Sequence, residues 1–197
     1  MIAADDLVLI GPGSEWFWVM AQFIALAVTG LAIFRQLRTQ RSASVYEQET
    51  EMWQEFESPT MIRSKLALML ALKGRDPSAG LPVDTDEVAD FFQRIGYLSA
   101  QGHFDPETLW SDGSWQVVEF YWGLLEPYIK ADRAGSSDPT FYRWFEWLDA
   151  QMRRLGTKHG EAHPPFDASQ RERQLDARID IFRAKLRRFD PGWGVES

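Results

Sequence analysis

Apolar side chains follow three different rhythms along this chain. From Trp16 to Phe34 they run almost unbroken: WFWVMAQFIALAVTGLAIF has nineteen residues, no charge, and Gln22 as its one strongly polar side chain. At 1.5 Å rise per residue that stretch predicts a helix of about 28 Å, close to the ~30 Å hydrocarbon thickness of a bilayer. Beyond it, apolar positions recur at three- and four-residue intervals, the spacing of helices that share a core. Near the C-terminus the rhythm narrows. Leu175, Ile179, Phe182, Leu186 and Phe189 stand at 4-3-4-3 spacing among dense charges, a seam of coiled-coil type that suits one helix partner. No run alternates apolar and polar residues for long enough to make a strand, so the expected fold is all-α.

Capping chemistry sets the expected boundaries. RQLRTQRSASVYEQETEMWQEFES contains no Pro or Gly, so the first helix is expected to run on to Pro59, with Tyr46, Met52, Trp53 and Phe56 at rough helical spacing. Ser58 or Pro59 starts the next helix, with Ile62, Leu66, Met69 and Leu70 on one side. GRDPSAGLP (74–82) reads as a loop. Asp84 and Glu87 read as a variant capping box before the stripe Val88, Phe91, Phe92, Ile95, Leu98, and Gly102 closes that helix. Asp105-Pro106 opens a short helix. WQVVEFYWGLLEPYIK follows, with Val118, Tyr121, Trp122, Leu125, Tyr128 and Ile129 inward and Pro127 expected to kink or loosen its end. ADRAGSSD reads as a turn, and Asp138-Pro139 as a second N-cap. Phe141, Trp144, Phe145, Leu148, Met152 and Leu155 then share a face until Gly156.

The resulting organisation is a short head (1–14), a transmembrane helix (15–35), a helical domain (36–156), a linker (157–167) and a C-terminal amphipathic helix with its tail (168–197). The parts after the span together make a bundle of about five to six helices.

Charge gives the span a direction. Asp5, Asp6 and Glu15 precede it, and Arg35, Arg38 and Arg41 follow it. Arginine and lysine stay on the cytoplasmic side of a bacterial inner membrane, so the N-terminus is expected outside and the domain in the cytoplasm. Trp16 and Trp18 suit one interface, and the three arginines suit anionic headgroups at the other. A cleaved signal peptide would begin with a basic region, which this acidic start lacks. On a helical wheel, Ala21, Gln22, Ala25, Thr29 and Ala32 fall on one side and bulkier residues on the other. Small residues with an amide among them are what one helix offers another in lipid, so this face is the expected contact with a partner helix.

Composition narrows the function. The chain has 197 residues and a net charge of −8; three of those charges lie in the first 34 residues, which leaves −5 for the rest. Nucleic-acid affinity comes mostly from cations on phosphates, so a nucleic-acid partner is not expected. There is no cysteine, hence no disulfide and no thiolate metal site. Nine tryptophans exceed what a core alone needs and point to an interface as well.

Candidate chemistry is sparse. His159 and His163 stand at i, i+4, where a helix would bring both to one metal, but Gly160 and Pro164-Pro165 argue against a helix there. The segment reads as a solvated linker, and neither a metal nor another cofactor is expected. His103 reads as a loop or cap residue. Glu119 and Glu126 are acid/base candidates only if buried, and the reading here places them on an exposed or partner-facing side. Glu146 with Arg143 and Asp149 with Arg153 read as surface pairs. The phosphate-cradling glycine motifs and the nucleophile elbow are both missing from the sequence.

The order of parts resembles a family of bacterial membrane-anchored helical domains of unknown function. The residues that carry the likeness are FRQLRTQRSASVYEQ, FFQRIGYLSAQGHFDPETLW, the WQVVEFYW helix and FYRWFEWL. It covers roughly residues 15–155 and leaves out the C-terminal helix. The likeness implies architecture and topology and no functional residues. The reading that results is a non-catalytic accessory or scaffold subunit of a larger membrane complex. Its partners would be the bilayer and other subunits, and residues 168–189 would pack either on a partner helix or on their own domain. The alternative is a membrane-tethered sensor that binds a small ligand or peptide in its helical domain.

Overall fold

The computed structural model of the chain describes residues 15–136, 138–161 and 168–189, with the side chains of residues 15, 37–46, 48 and 168–170 left aside. Every regular element among the described residues is helical. They are α1 (Glu15–Phe56), α2 (Pro59–Leu72), a 3₁₀ turn (Pro77–Ala79), α3 (Glu87–Ala100), α4 (Pro106–Ser111), α5 (Trp115–Ser136), α6 (Arg143–Lys158) and α7 (Ala168–Phe189). The expected head (1–14) lies outside the described residues. Two compact units divide the chain at Gln48 and Glu49, so the last turns of α1 belong to the second unit.

In the first unit α1 carries its apolar stretch exposed. Phe23 is 73% and Leu26 71% accessible. Thr29 turns its hydroxyl back to the Ala25 carbonyl at 2.8 Å, which satisfies the one hydroxyl on that face without a neighbour.

The second unit is built on aromatic rings. Phe92 of α3 lies at the centre, stacked on Phe145 of α6 at 4.8 Å, with Tyr121 of α5 at 5.3 Å. Phe56, at the end of α1, stacks on Phe91 at 4.7 Å. α3 packs chiefly on α6, and Gly96 permits the close approach: a Cβ there would come within 2.0 Å of the Trp144 carbonyl oxygen. α7 packs on α2, burying Leu175, Ile179, Phe182 and Leu186. The coiled-coil seam is therefore filled by the chain's own α2. Phe189 is 56% exposed and stands off the seam.

Several boundaries match their local signals. Ser58 caps α2, accepting the Met61 N–H at 3.2 Å, with Pro59 at N1. Asp105 caps α4 in the same way through Glu107. Past the end of α3 the His103 N–H reaches the Leu98 carbonyl and the Gly102 N–H reaches that of Ser99, the two bonds of a Schellman closure.

Other boundaries move, and at α5 and α6 distant side chains outbid the local signal. α3 starts at Glu87 after Asp86, not after Asp84, which lies in the left-handed region at φ 63°. Leu70 is 45% exposed, off the α2 core face. α5 continues through ADRAGS to Ser136 instead of ending before it. Pro127 withholds an N–H that would have bonded to Gly123, but the turns beyond it are pinned elsewhere. Asp132 accepts the Leu81 N–H at 2.9 Å, and Arg133 binds the Phe141 carbonyl at 2.8 Å and Glu146 at 2.7 Å.

Asp138-Pro139 forms a turn, with Asp138 accepting from both Thr140 groups, and α6 begins only at Arg143. Its first N–H groups are capped across the fold: Gln93 Oε1 accepts from Trp144 at 2.9 Å and Phe145 at 3.1 Å. At the far end Gly156 is buried inside α6, and the helix stops instead at Gly160, φ 78°.

Candidate functional site

Three places bear on function. The first is the exposed apolar stretch, where 21 residues from Trp16 to Gln36 are long and apolar enough to cross a membrane and none is buried inside the protein. Trp16 and Trp18 are 62% and 52% exposed. Gln22, Ala25, Thr29, Ala32 and Arg35 are exposed as well, and Ala21 is half-buried. The helix backbone runs on through positions 38 and 41, but the side chains of Arg38 and Arg41 lie outside the described residues.

The second is a cleft of about 420 Å³ in the helical domain, where the end of α1 meets the N-terminal turns of α2 and α3. Glu55 comes from α1; Glu87, Asp90 and Arg94 come from α3; Ser64 comes from α2; Phe91 lies at the bottom. Arg94 pairs with Glu55, and the Ser64 hydroxyl donates to Glu87. The Tyr142 hydroxyl donates to Asp90 at 2.9 Å. Burial, together with the Asp90 carboxylate, pushes that phenol well above its usual range. Tyr142 itself sits at φ 54°, a conformation costly for a side chain of this size. It places the hydroxyl on Asp90 while the N–H groups of Trp144 and Phe145 donate to Gln93.

The third is a buried lysine. Lys65 is 1% exposed. Its ammonium donates to the Phe56 carbonyl at 2.5 Å, stands 3.1 Å from the centre of the Phe56 ring, and lies 3.5 Å from Glu57. Lys185 of α7 reaches the other Glu57 oxygen at 2.5 Å. The carbonyls at a helix C-terminus lack internal partners and attract cations, so Lys65 caps α1 from α2. Burial pushes its pKa down to about 8, against the pull of Glu57. Burial also works against the charge of Glu57, but Lys185 and Lys65 outweigh it and hold that carboxyl below its usual range.

The remaining candidates land as follows. Asp149 is buried, 5% exposed, and not part of a surface pair. Arg153 holds it at 2.8 Å, while burial pushes its carboxyl upward. Glu146 pairs with Arg133, not with Arg143, which lies 4.6 Å over the Trp144 ring. Glu126 binds Lys130 at 2.7 Å, and Glu119 is half-buried. His159 is docked, not dangling: its ring stacks on Trp110 at 4.2 Å and its Nε2 lies 3.0 Å from Glu107. His163 lies outside the described residues. His103 is the exposed residue after the α3 closure.

Neither Lys65 nor the cleft was singled out from the sequence. Lys65 had a signal, since it sits between Ile62 and Met69 at helical spacing, a charge on an apolar face. The cleft had none, because its residues are scattered over three helices.

No protein-family model, curated protein or solved structure matches this chain.

Proposed function

We propose that the chain is a membrane-anchored, non-catalytic accessory or scaffold subunit of a larger bacterial membrane complex. The observation that carries this reading is the 21-residue apolar stretch of α1, none of it buried inside the protein. Soluble monomers rarely expose contiguous apolar surface beyond a few hundred Å², and a helix satisfies its own backbone inside lipid. The acids before the span and the arginines after it support an N-terminus outside and a helical domain in the cytoplasm. Trp16 and Trp18 then lie at one interface, with Arg35, Arg38 and Arg41 at the other. Ala21, Gln22, Ala25, Thr29 and Ala32 face a partner helix.

Membrane fractionation with a C-terminal reporter tests the reading. The protein is expected in the membrane pellet after carbonate washing, its N-terminal residues retained and the reporter cytoplasmic. A soluble mature form lacking the first helix would show a signal sequence instead and sink the proposal. Purification in mild detergent tests the subunit role: a stoichiometric partner is expected, and recovery as a lone monomer would count against it. A second reading, a membrane-tethered sensor, is favoured by one observation, the polar-walled cleft of the helical domain.

A further inference from the structure

We propose that the outward face of α6, with Tyr97 of α3 beside it, docks on an anionic lipid headgroup surface. Away from its core side α6 carries Arg143, Trp147, Ala150 and Arg154, whose spacing of i, i+4, i+7 and i+11 makes one stripe of a helix. Both arginines and Ala150 are exposed, and Trp147 is half-buried. Trp144 stands on the flank. Its ring meets that of Trp147 edge to face at 6.4 Å and that of Tyr97 at 5.9 Å. Tyr97 is 47% exposed. Rings with a polar tip suit a surface that is apolar on one side and wet on the other.

Charge selects the occupant. The acids of α6 are engaged elsewhere: Glu146 holds Arg133, and Asp149 is buried on Arg153. Arg143 lies 4.6 Å over the Trp144 ring, and a stacked guanidinium still presents its N–H edge to phosphate. On α3, Arg94 is matched by Glu55, and Asp90, two turns before Tyr97, subtracts one charge. The face stays net positive on a chain that carries −5 after its first 34 residues. An anionic surface repels most of such a domain and attracts this side. A second copy does not fit, because two antiparallel α6 stripes would set Arg143 against Arg154. Aromatic rings between arginines are what the headgroup level of a bilayer accepts. The inference goes beyond the anchoring of α1 and stands on the helical domain alone.

Vesicles carrying phosphatidylcholine spin-labelled at its headgroup test it with the full-length protein. The chain has no cysteine, so Gln151→Cys, beside the stripe, and Ala184→Cys, exposed on α7, each take a single fluorescent label. With about 30% phosphatidylglycerol in the vesicles, quenching at position 151 is expected to exceed that at 184 at least about twofold. Pure phosphatidylcholine, or about 1 M salt, is expected to remove the difference. Arg143→Gln/Arg154→Gln is expected to lower the ratio of docked to undocked domain about tenfold. If that variant does not fold, the lipid and salt dependence of the parent decides. Flotation with pure phosphatidylcholine vesicles reports the α1 anchor separately. A protein that floats there but is quenched equally at both sites in anionic vesicles keeps its anchor and overturns this proposal. One that floats only with anionic vesicles, quenched at 151, keeps the docking face and loses the anchor. Flotation with neither vesicle overturns both, and a difference that persists in pure phosphatidylcholine or in high salt overturns the docking face.

Discussion

A methyl group at Gly80 has nowhere to go. Its Cβ would lie 1.9 Å from Asp132 Oδ1, and its φ of 68° disfavours any other residue. Asp132 cannot yield cheaply, because its other oxygen holds the Leu81 N–H. Gly80→Ala is expected to cost more than about 2 kcal/mol, read as a lower urea midpoint. Lys65 gives a pH prediction. The unfolded lysine titrates near 10.5 and the folded one at about 8. Between those values the unfolded chain binds more protons, so stability rises with pH across that window and is flat below it, as far as this group is concerned. The rise is of order 3 kcal/mol for the shift from 10.5 to about 8. Urea unfolding at several pH values checks it. A Lys65→Met protein should lack the rise, and an unchanged pH profile would refute the assignment. Single residues were legible where their partner is near in sequence. Ser58, Asp105 and Gly102 were read correctly because a cap bonds within a turn. Lys65 and Asp149 were not, because burial is a property of what arrives from elsewhere.

At the scale of elements, periodicity read the inward faces of α3 and α5 with little error, because those helices bury a single stripe. It failed at the ends of α5 and α6, where Arg133, Asp132 and Gln93 override the nearby Gly, Pro and Asp. α7 allows a direct comparison. Leu186 is 1% exposed and Phe189 is 56%, although one heptad-like seam named both. Leu186→Ala is expected to destabilise by about 2–4 kcal/mol and Phe189→Ala by less than about 0.5. Denaturant melts of the two variants decide it. Comparable losses would mean that α7 packs through a different face.

For the molecule as a whole, the division at Glu49 implies that the helical part carries its own core. A protein starting at Glu49 is expected to stay soluble, keep its helical circular dichroism and melt in one cooperative step. A gradual, non-cooperative melt would show that residues before Glu49 are needed. The all-helical class and the long apolar helix were legible because both depend on local pattern. The cleft was not, since it exists only once α1, α2 and α3 have met. The Gln93 cap of α6 has a related consequence. Taken alone, Asp138-Pro139 favours a helix that begins four residues early, and Tyr142 would then avoid its costly backbone angle. The native start is selected only after α3 has docked. The start of α6 is thus contingent on its neighbour, since the acceptor for its first N–H groups belongs to α3.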